Sequence, residues 1–119
     1  MAMQIRLIDE DKTNLIGFFL RDLLHGNLQQ VAHEKAARKL DGRFIFNASG
    51  MAVTVIFGEG CVQIEPGAAK KSTAQIIGEM SDLLDVALGA NYVPYLLKGK
   101  VSIRGNIFKL LKLMKILRK

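Results

Sequence analysis

The side chains equipped for chemistry are few and scattered. His25 and His33 stand eight residues apart with Gly26 between them, so they do not share one helical face as a metal-binding pair at i, i+4 does. Cys61 is the single cysteine and lies in the run Cys61-Val62-Gln63-Ile64, where a buried, inert thiol is expected and no intramolecular disulfide can form. Ser49-Gly50 lacks the Gly-x-Ser-x-Gly pattern of a nucleophile elbow, and Gly58-x-Gly60 lacks the third glycine of a dinucleotide site. Both read as turns. Glu79, Asp82 and Asp85 follow at i, i+3, i+6, a solvated helical face near an N-terminus rather than a cation site. No constellation supports catalysis, and none implies a metal or a cofactor.

What remains is charge. The chain carries +6 over 119 residues, and Lys98, Lys100, Arg104, Lys109, Lys112, Lys115, Arg118 and Lys119 supply eight positive charges with no acid among them, leaving the other 97 residues at −2. On a helix, Lys109, Lys112, Lys115, Arg118 and Lys119 occupy one half, and Leu110, Leu111, Leu113, Met114 and Leu117 the other. Such a helix either packs its apolar half on a core and solvates its lysines, or lies on an anionic membrane, where each basic residue adds about 1 kcal/mol. The two coexist where the apolar half is shared between core, ligand and membrane. Nucleic acid is not expected as a partner: Phe108 is the only aromatic in the basic segment, so the stacking platform of single-strand binders is missing.

The elements that must position these residues follow from periodicity. Leu15 to Leu24 is apolar over most of a helical circumference, with Asp11 to Asn14 as starts and His25-Gly26 as a stop. Leu28, Val31, Ala32, Ala36 and Leu40 predict a second helix opening at Asn27 and ending at Asp41-Gly42. Then the period becomes two: Phe44, Phe46 and Ala48, a Ser49-Gly50 turn, Val53, Val55 and Phe57, then Val62 and Ile64. Pro66-Gly67 supplies a turn and Ser72–Ile77 another strand, so an antiparallel meander is expected. Met80 to Leu88 predicts a helix ended by Gly89, Tyr92 to Leu97 a short helical link, Val101 to Arg104 a last strand, and Asn106 the cap of a terminal helix.

Half of the residues are hydrophobic and only two are proline, which places the chain among globular proteins. One domain over residues 1–119 is expected: a helical N-terminal region over 1–42, strands over 43–77, a helical link 79–97, a last strand 99–104 and a basic amphipathic helix 106–119. Surface scaling for this size gives about 19,000 Å² exposed unfolded and about 6,400 Å² folded, enough to sustain a core without disulfides. The first dozen residues hold four charges between Asp9 and Lys12 and no apolar stretch, and the longest uncharged run, Phe44 to Gly58, is too short and polar to span a bilayer. The expected location is the cytoplasm, peripheral to the membrane at most.

The run Gly99-Lys-Val-Ser-Ile-Arg-Gly105-Asn-Ile-Phe-Lys-Leu-Leu-Lys-Leu-Met114 resembles the C-terminal signature of the sterol carrier protein type 2 family of small lipid-binding and lipid-transfer domains. In that pattern a Gly-Lys opens the last strand, a second glycine follows it, and an acidic or amide residue caps a helix of alternating Lys and Leu. Phe44 to Ile64 is similar to the family's three-stranded meander, Ser72 to Ile77 to its next strand, and Met80 to Gly89 to its helix of the form Asp-Leu-Leu-x-x-Ala-Leu-Gly. The resemblance covers roughly residues 43 to 117. Asn106 stands where Asp is common, an equivalent cap, and the terminal Leu-Arg-Lys is not a peroxisomal tripeptide.

The resemblance implies an α+β fold: a mostly antiparallel five-stranded sheet covered on one side by helices and enclosing an apolar tunnel. Leu83, Leu84, Ile103, Leu110, Leu111, Leu113, Met114 and Leu117 are its expected lining, and Lys109, Lys112, Lys115, Arg118 and Lys119 its membrane-facing cations. The expected function is intracellular, non-enzymatic binding and transfer of a fatty acyl, sterol-like or isoprenoid lipid. The alternative is an accessory or scaffold protein for a lipid or isoprenoid-quinone pathway enzyme. The apolar first helix, with Phe18 and Phe19, then serves a protein partner or a homodimer.

Overall fold

A computed structural model describes residues 4–8, 14–58, 60–87 and 92–117. In chain order its elements are β1 (Gln4–Leu7), α1 (Leu15–Asn27), α2 (Val31–Lys39), β2 (Gly42–Ala48), β3 (Met51–Gly58), β4 (Cys61–Pro66), β5 (Ala74–Gly78), α3 (Met80–Ala87), α4 (Tyr92–Leu97), β6 (Val101–Gly105) and α5 (Ile107–Leu117). The hairpin of β2 and β3 is the centre. Ala48 pairs with Met51 across Ser49 and Gly50, whose φ values of 54° and 85° have the sign that a two-residue turn needs to match strand twist.

Alternation then sorts the side chains. Phe44, Phe46 and Ala48 of β2 point to one face with Val53, Val55 and Phe57 of β3, Val62 and Ile64 of β4, and Ala74 and Ile76 of β5, all buried. Phe44 and Phe57 meet edge to face, ring centres 5.9 Å apart. α1 covers this face at β1, β3 and β4, α2 at β3, and α5 sits against α1, α2 and β5. The described chain exposes 6905 Å², close to the value of about 6,400 Å² set by its size.

The sheet departs from the expected five antiparallel strands. It has six, in the order β1-β4-β3-β2-β5-β6, and two of its pairings, β1 with β4 and β2 with β5, are parallel. β1 lies inside the region expected to be wholly helical; four residues are too few to show a period. β5 does not continue the meander beside β4 but crosses to the far side of the hairpin. Its connection passes over the outer face, where the Thr54 hydroxyl donates to the Gly67 carbonyl at 2.9 Å and accepts from the Ala69 amide at 3.0 Å. Thr54 and its partner Ile45 are consequently buried on the side away from the helices. Local periodicity carries no information on which edge a strand joins.

Caps fix the helix ends. Asn14 accepts from the Gly17 amide at 3.0 Å and donates to the Ala52 carbonyl at 2.9 Å, tying α1 to the hairpin. α1 runs past the expected stop at His25-Gly26 to Asn27, and α2 starts at Val31 rather than Asn27. The reason is tertiary: Asn27, 2% exposed, donates to the Ile116 carbonyl at 3.1 Å, satisfying one of the carbonyls that a helix C-terminus leaves open. Asn106 caps α5 as expected, accepting from the Lys109 amide at 3.1 Å. Gly105 before it has φ +87°, and a Cβ there would lie 2.6 Å from the Thr73 carbonyl oxygen, so both its conformation and its surroundings demand glycine.

Candidate lipid-binding site

Six of the eight residues expected to line a tunnel lie in or against the apolar layer between helices and sheet. Leu83 on α3 and Leu110, Leu113 and Met114 on α5 are buried in one apolar cluster, with Ile103 of β6 and Leu111 half-buried against it. Leu84 is half-buried outside that cluster. The side chain of Leu117 lies outside the described residues. Leu110 and Leu113 have 0% accessible surface, so neither borders a void large enough to admit water. Under α5 the described part of the expected lining is therefore packed without internal space at Leu110 and Leu113.

The sequence reading missed residues that matter as much. Phe44, Ile64 and Ile76 of the sheet and Leu24 and Leu28 of the first helical region are 2% exposed or less. They carried an ordinary core signal. Ile116 carried a misleading one. At 100° per residue it falls between Lys109 and Lys112, yet it is 0% exposed, because α1 and α2 cover the end of α5 from that side. The buried arc of α5 is therefore wider than its hydrophobic half.

The cationic half is correspondingly narrower. Lys109 is half-buried, its ammonium 3.0 Å from Asp41, and holds that carboxyl below its usual range. Lys112 and Lys115 are exposed. Phe108, one turn before Lys112, is 75% exposed, so an aromatic ring and two lysines share the outer stripe. Arg118 and Lys119 lie outside the described residues.

α3 and α4 form a second, lighter cover over β5 and β6. Ser49 in the hairpin turn accepts from the Met80 amide at 3.1 Å and donates to Glu79 at 3.0 Å, anchoring the start of α3. Tyr95 of α4 donates to Asp85 of α3 at 3.2 Å; burial and the Asp85 charge push its phenol above the usual value. Tyr95 and Leu96 are half-buried against the core, while Val93 and Leu97 are 45% and 82% exposed. Glu79, just before α3, and Asp85 on it thus accept hydrogen bonds from neighbours, and no group of three metal-ligating side chains occurs among the described residues.

The remaining chemical candidates stay apart. His25 is exposed, and the side chain of His33 lies outside the described residues. Cys61 is half-buried rather than buried, opening β4 on the sheet's outer face. The first helix buries Ile16, Leu20 and Leu24 in the core. On the flank of that stripe Phe19 and Leu23 pack against the core and stay half-exposed beside a groove of about 560 Å³ that reaches Gly26 and Gln30. Arg21 stacks 5.2 Å above the Phe18 ring. No helix among the described residues is long and apolar enough to cross a membrane.

Solved structures share this architecture. A protein described as the ubiquinone synthesis protein UbiJ-SCP2 superposes with a TM-score of 0.73 at 18% identity, over 87% of this chain and 93% of that one. Sterol carrier protein 2 from Yarrowia lipolytica, in its apo form, gives 0.65 at 19% identity, over 92% of each chain. Sterol carrier protein domain 2 of Helicoverpa armigera gives 0.68 at 18%, over 89% of this chain and 91% of that one. No curated protein sequence matches. The sequence pattern of the SCP-2 sterol transfer family matches residues 20–118, which takes in α5, the hairpin, the crossover to β5 and more than half of α1. The chain belongs to the SCP-2 sterol transfer family.

Proposed function

We propose that the protein binds and carries an apolar lipid, a fatty acyl, sterol-like or isoprenoid chain, performing no chemistry on it. One observation carries this reading: the apolar cluster continues without a break from the sealed residues under α5 to half-exposed Tyr95, Leu96, Ile103 and Leu111. A guest enters by lifting the α3–α4 cover, which is held mainly by β5, β6 and the Ser49 cap. The lining is the set named from the sequence, with Leu110, Leu113 and Met114 moving apart as it enters. Burying a ten-carbon chain at about 0.8 kcal/mol per CH₂ contributes about 8 kcal/mol before association costs, compatible with micromolar affinity.

Loading takes place at an anionic membrane on the cytoplasmic side, with Phe108 inserting and Lys112 and Lys115 meeting lipid phosphates. Organic extraction of the purified protein followed by mass spectrometry is expected to release a lipid, and a fluorescent fatty acid is expected to be displaced by it. Absence of both would end the carrier reading. Replacing Lys109, Lys112 and Lys115 with Gln is expected to weaken binding to anionic vesicles at low salt; unchanged binding retires membrane guidance alone.

A second reading has its own support. The groove beside Phe19 and Leu23 fits a protein side chain, and a neighbour of the same fold is described as a ubiquinone synthesis protein. The chain then acts as an accessory to an enzyme of lipid or isoprenoid-quinone metabolism, or pairs with its own copy. Sedimentation of wild type and Leu23→Asp distinguishes these. A dimer that dissociates on substitution favours self-pairing, and a monomer in both leaves a foreign partner.

A further inference from the structure

At the end of the sheet where β2 and β5 begin, a cavity of about 430 Å³ is bounded by Asp41, Gly42, Arg43, Lys71, Ser72 and Thr73, with half-buried Ile56 as apolar wall. The sequence places Arg43 and Lys71 far apart; the crossover and the parallel pairing of β2 with β5 bring them together. Two hydrogen bonds tie Arg43 to Thr73, two residues beyond Lys71. The Thr73 amide donates to the Arg43 carbonyl at 2.8 Å, and the Arg43 amide donates to the Thr73 hydroxyl at 3.2 Å.

The charges around this cavity do not cancel. Asp41 is the single carboxylate among the described residues of the wall, and Lys109, 3.0 Å away, pairs with it. Arg43 and Lys71 have no ion-pair partner among the described residues. Both are exposed at the rim. Two uncompensated cations, one with a planar fork of donors, together with the Ser72 hydroxyl make a donor set suited to an oxyanion.

We infer that this cavity is an oxyanion site, taking a phosphate or carboxylate on Arg43 and Lys71. The site stands on the geometry alone. Its use for the head group of a carried lipid, whose first methylenes would lie on Ile56, rests on the carrier reading above.

The test titrates isotope-labelled protein with inorganic phosphate at constant ionic strength, following the amide resonances of Arg43, Lys71 and Ser72. Saturable shifts are expected. The double variant Arg43→Gln, Lys71→Gln removes them, and both side chains are exposed, so folding is retained. Lys98→Gln, Lys100→Gln removes equal charge near the opposite end of β5 and leaves them intact. Dodecyl phosphate and dodecanol separate the two sources of the anion. Dodecyl phosphate binding at least about tenfold tighter than dodecanol, an advantage lost in the Arg43, Lys71 variant, identifies a lipid head group. Saturable phosphate binding with no gain from the dodecyl chain identifies a free anion. Phosphate binding with no binding of either amphiphile keeps the site and removes the carrier reading. Shifts that do not saturate, or that survive in the double variant, overturn the proposal.

Discussion

α5 and the α3–α4 pair cover neighbouring strands of one sheet, yet they are built differently. α5 is wedged between α1, α2 and β5, its Leu110, Leu113 and Ile116 have no accessible surface, and Asn106 and Asn27 satisfy its two ends. α3 and α4 rest mainly on β5 and β6, bury only Leu83 and Val86 among their described side chains, and leave Val93 and Leu97 in solvent. Under the carrier proposal the contrast gives two apolar covers different tasks. Stability would reside where the buried arc is wide and the ends are capped, and access where side chains of the same type are half-covered and can be exposed again at low cost.

The largest expected effect tests the sealed side. Leu113→Ala is expected to cost about 2–5 kcal/mol in urea unfolding, because a fully buried methylene cluster is lost and a cavity remains. A loss below about 1 kcal/mol would mean that the layer under α5 collapses easily, erasing the contrast. Asn27→Ala comes next, at about 1–3 kcal/mol, since the Ile116 carbonyl loses its donor in a buried place. Restoring the loss with Ser or Asp is not expected, as neither reaches with an amide.

On the lighter cover, Leu96→Ala is expected to cost less than about 1 kcal/mol while accelerating release of a bound fluorescent fatty acid. Hydrogen exchange sharpens the same point: amides of α3 and α4 are expected to exchange well before those of α1 and α5, and to slow when lipid is bound. Equal protection of both covers would place the entry elsewhere. The smallest effect concerns pH. Lys109 holds the Asp41 carboxyl below its ordinary value, so the pair is complete above the ordinary carboxylate pKa and is lost as pH falls through the lowered one. Asp41→Asn is expected to flatten that acid limb of stability only slightly, because the pair is exposed.

Much of this was legible in the residues. The Ser49-Gly50 turn, the two-residue periods of Phe44 to Phe57, the Asn106 cap and the amphipathic α5 each rest on contacts between near neighbours, where chain chemistry decides. The misplaced features share one cause. β1 is too short to carry a period, the parallel placement of β5 depends on a path over the outer face, and Ile116 sits on a nominally cationic arc that α1 and α2 cover. The burial of Asn27, expected as a helix start, has the same origin.

By itself the sequence determined the types and order of most elements, the family resemblance and the concentration of positive charge after Lys98, because these depend on residue type and spacing. Tertiary structure alone decided three things: that Leu110 and Leu113 are sealed under α5, that Phe108 rather than Lys109 accompanies the exposed lysines on the outer stripe, and that Arg43 and Lys71 meet beside one cavity. Each depends on which segments a crossover brings together, and a one-dimensional period has no term for that.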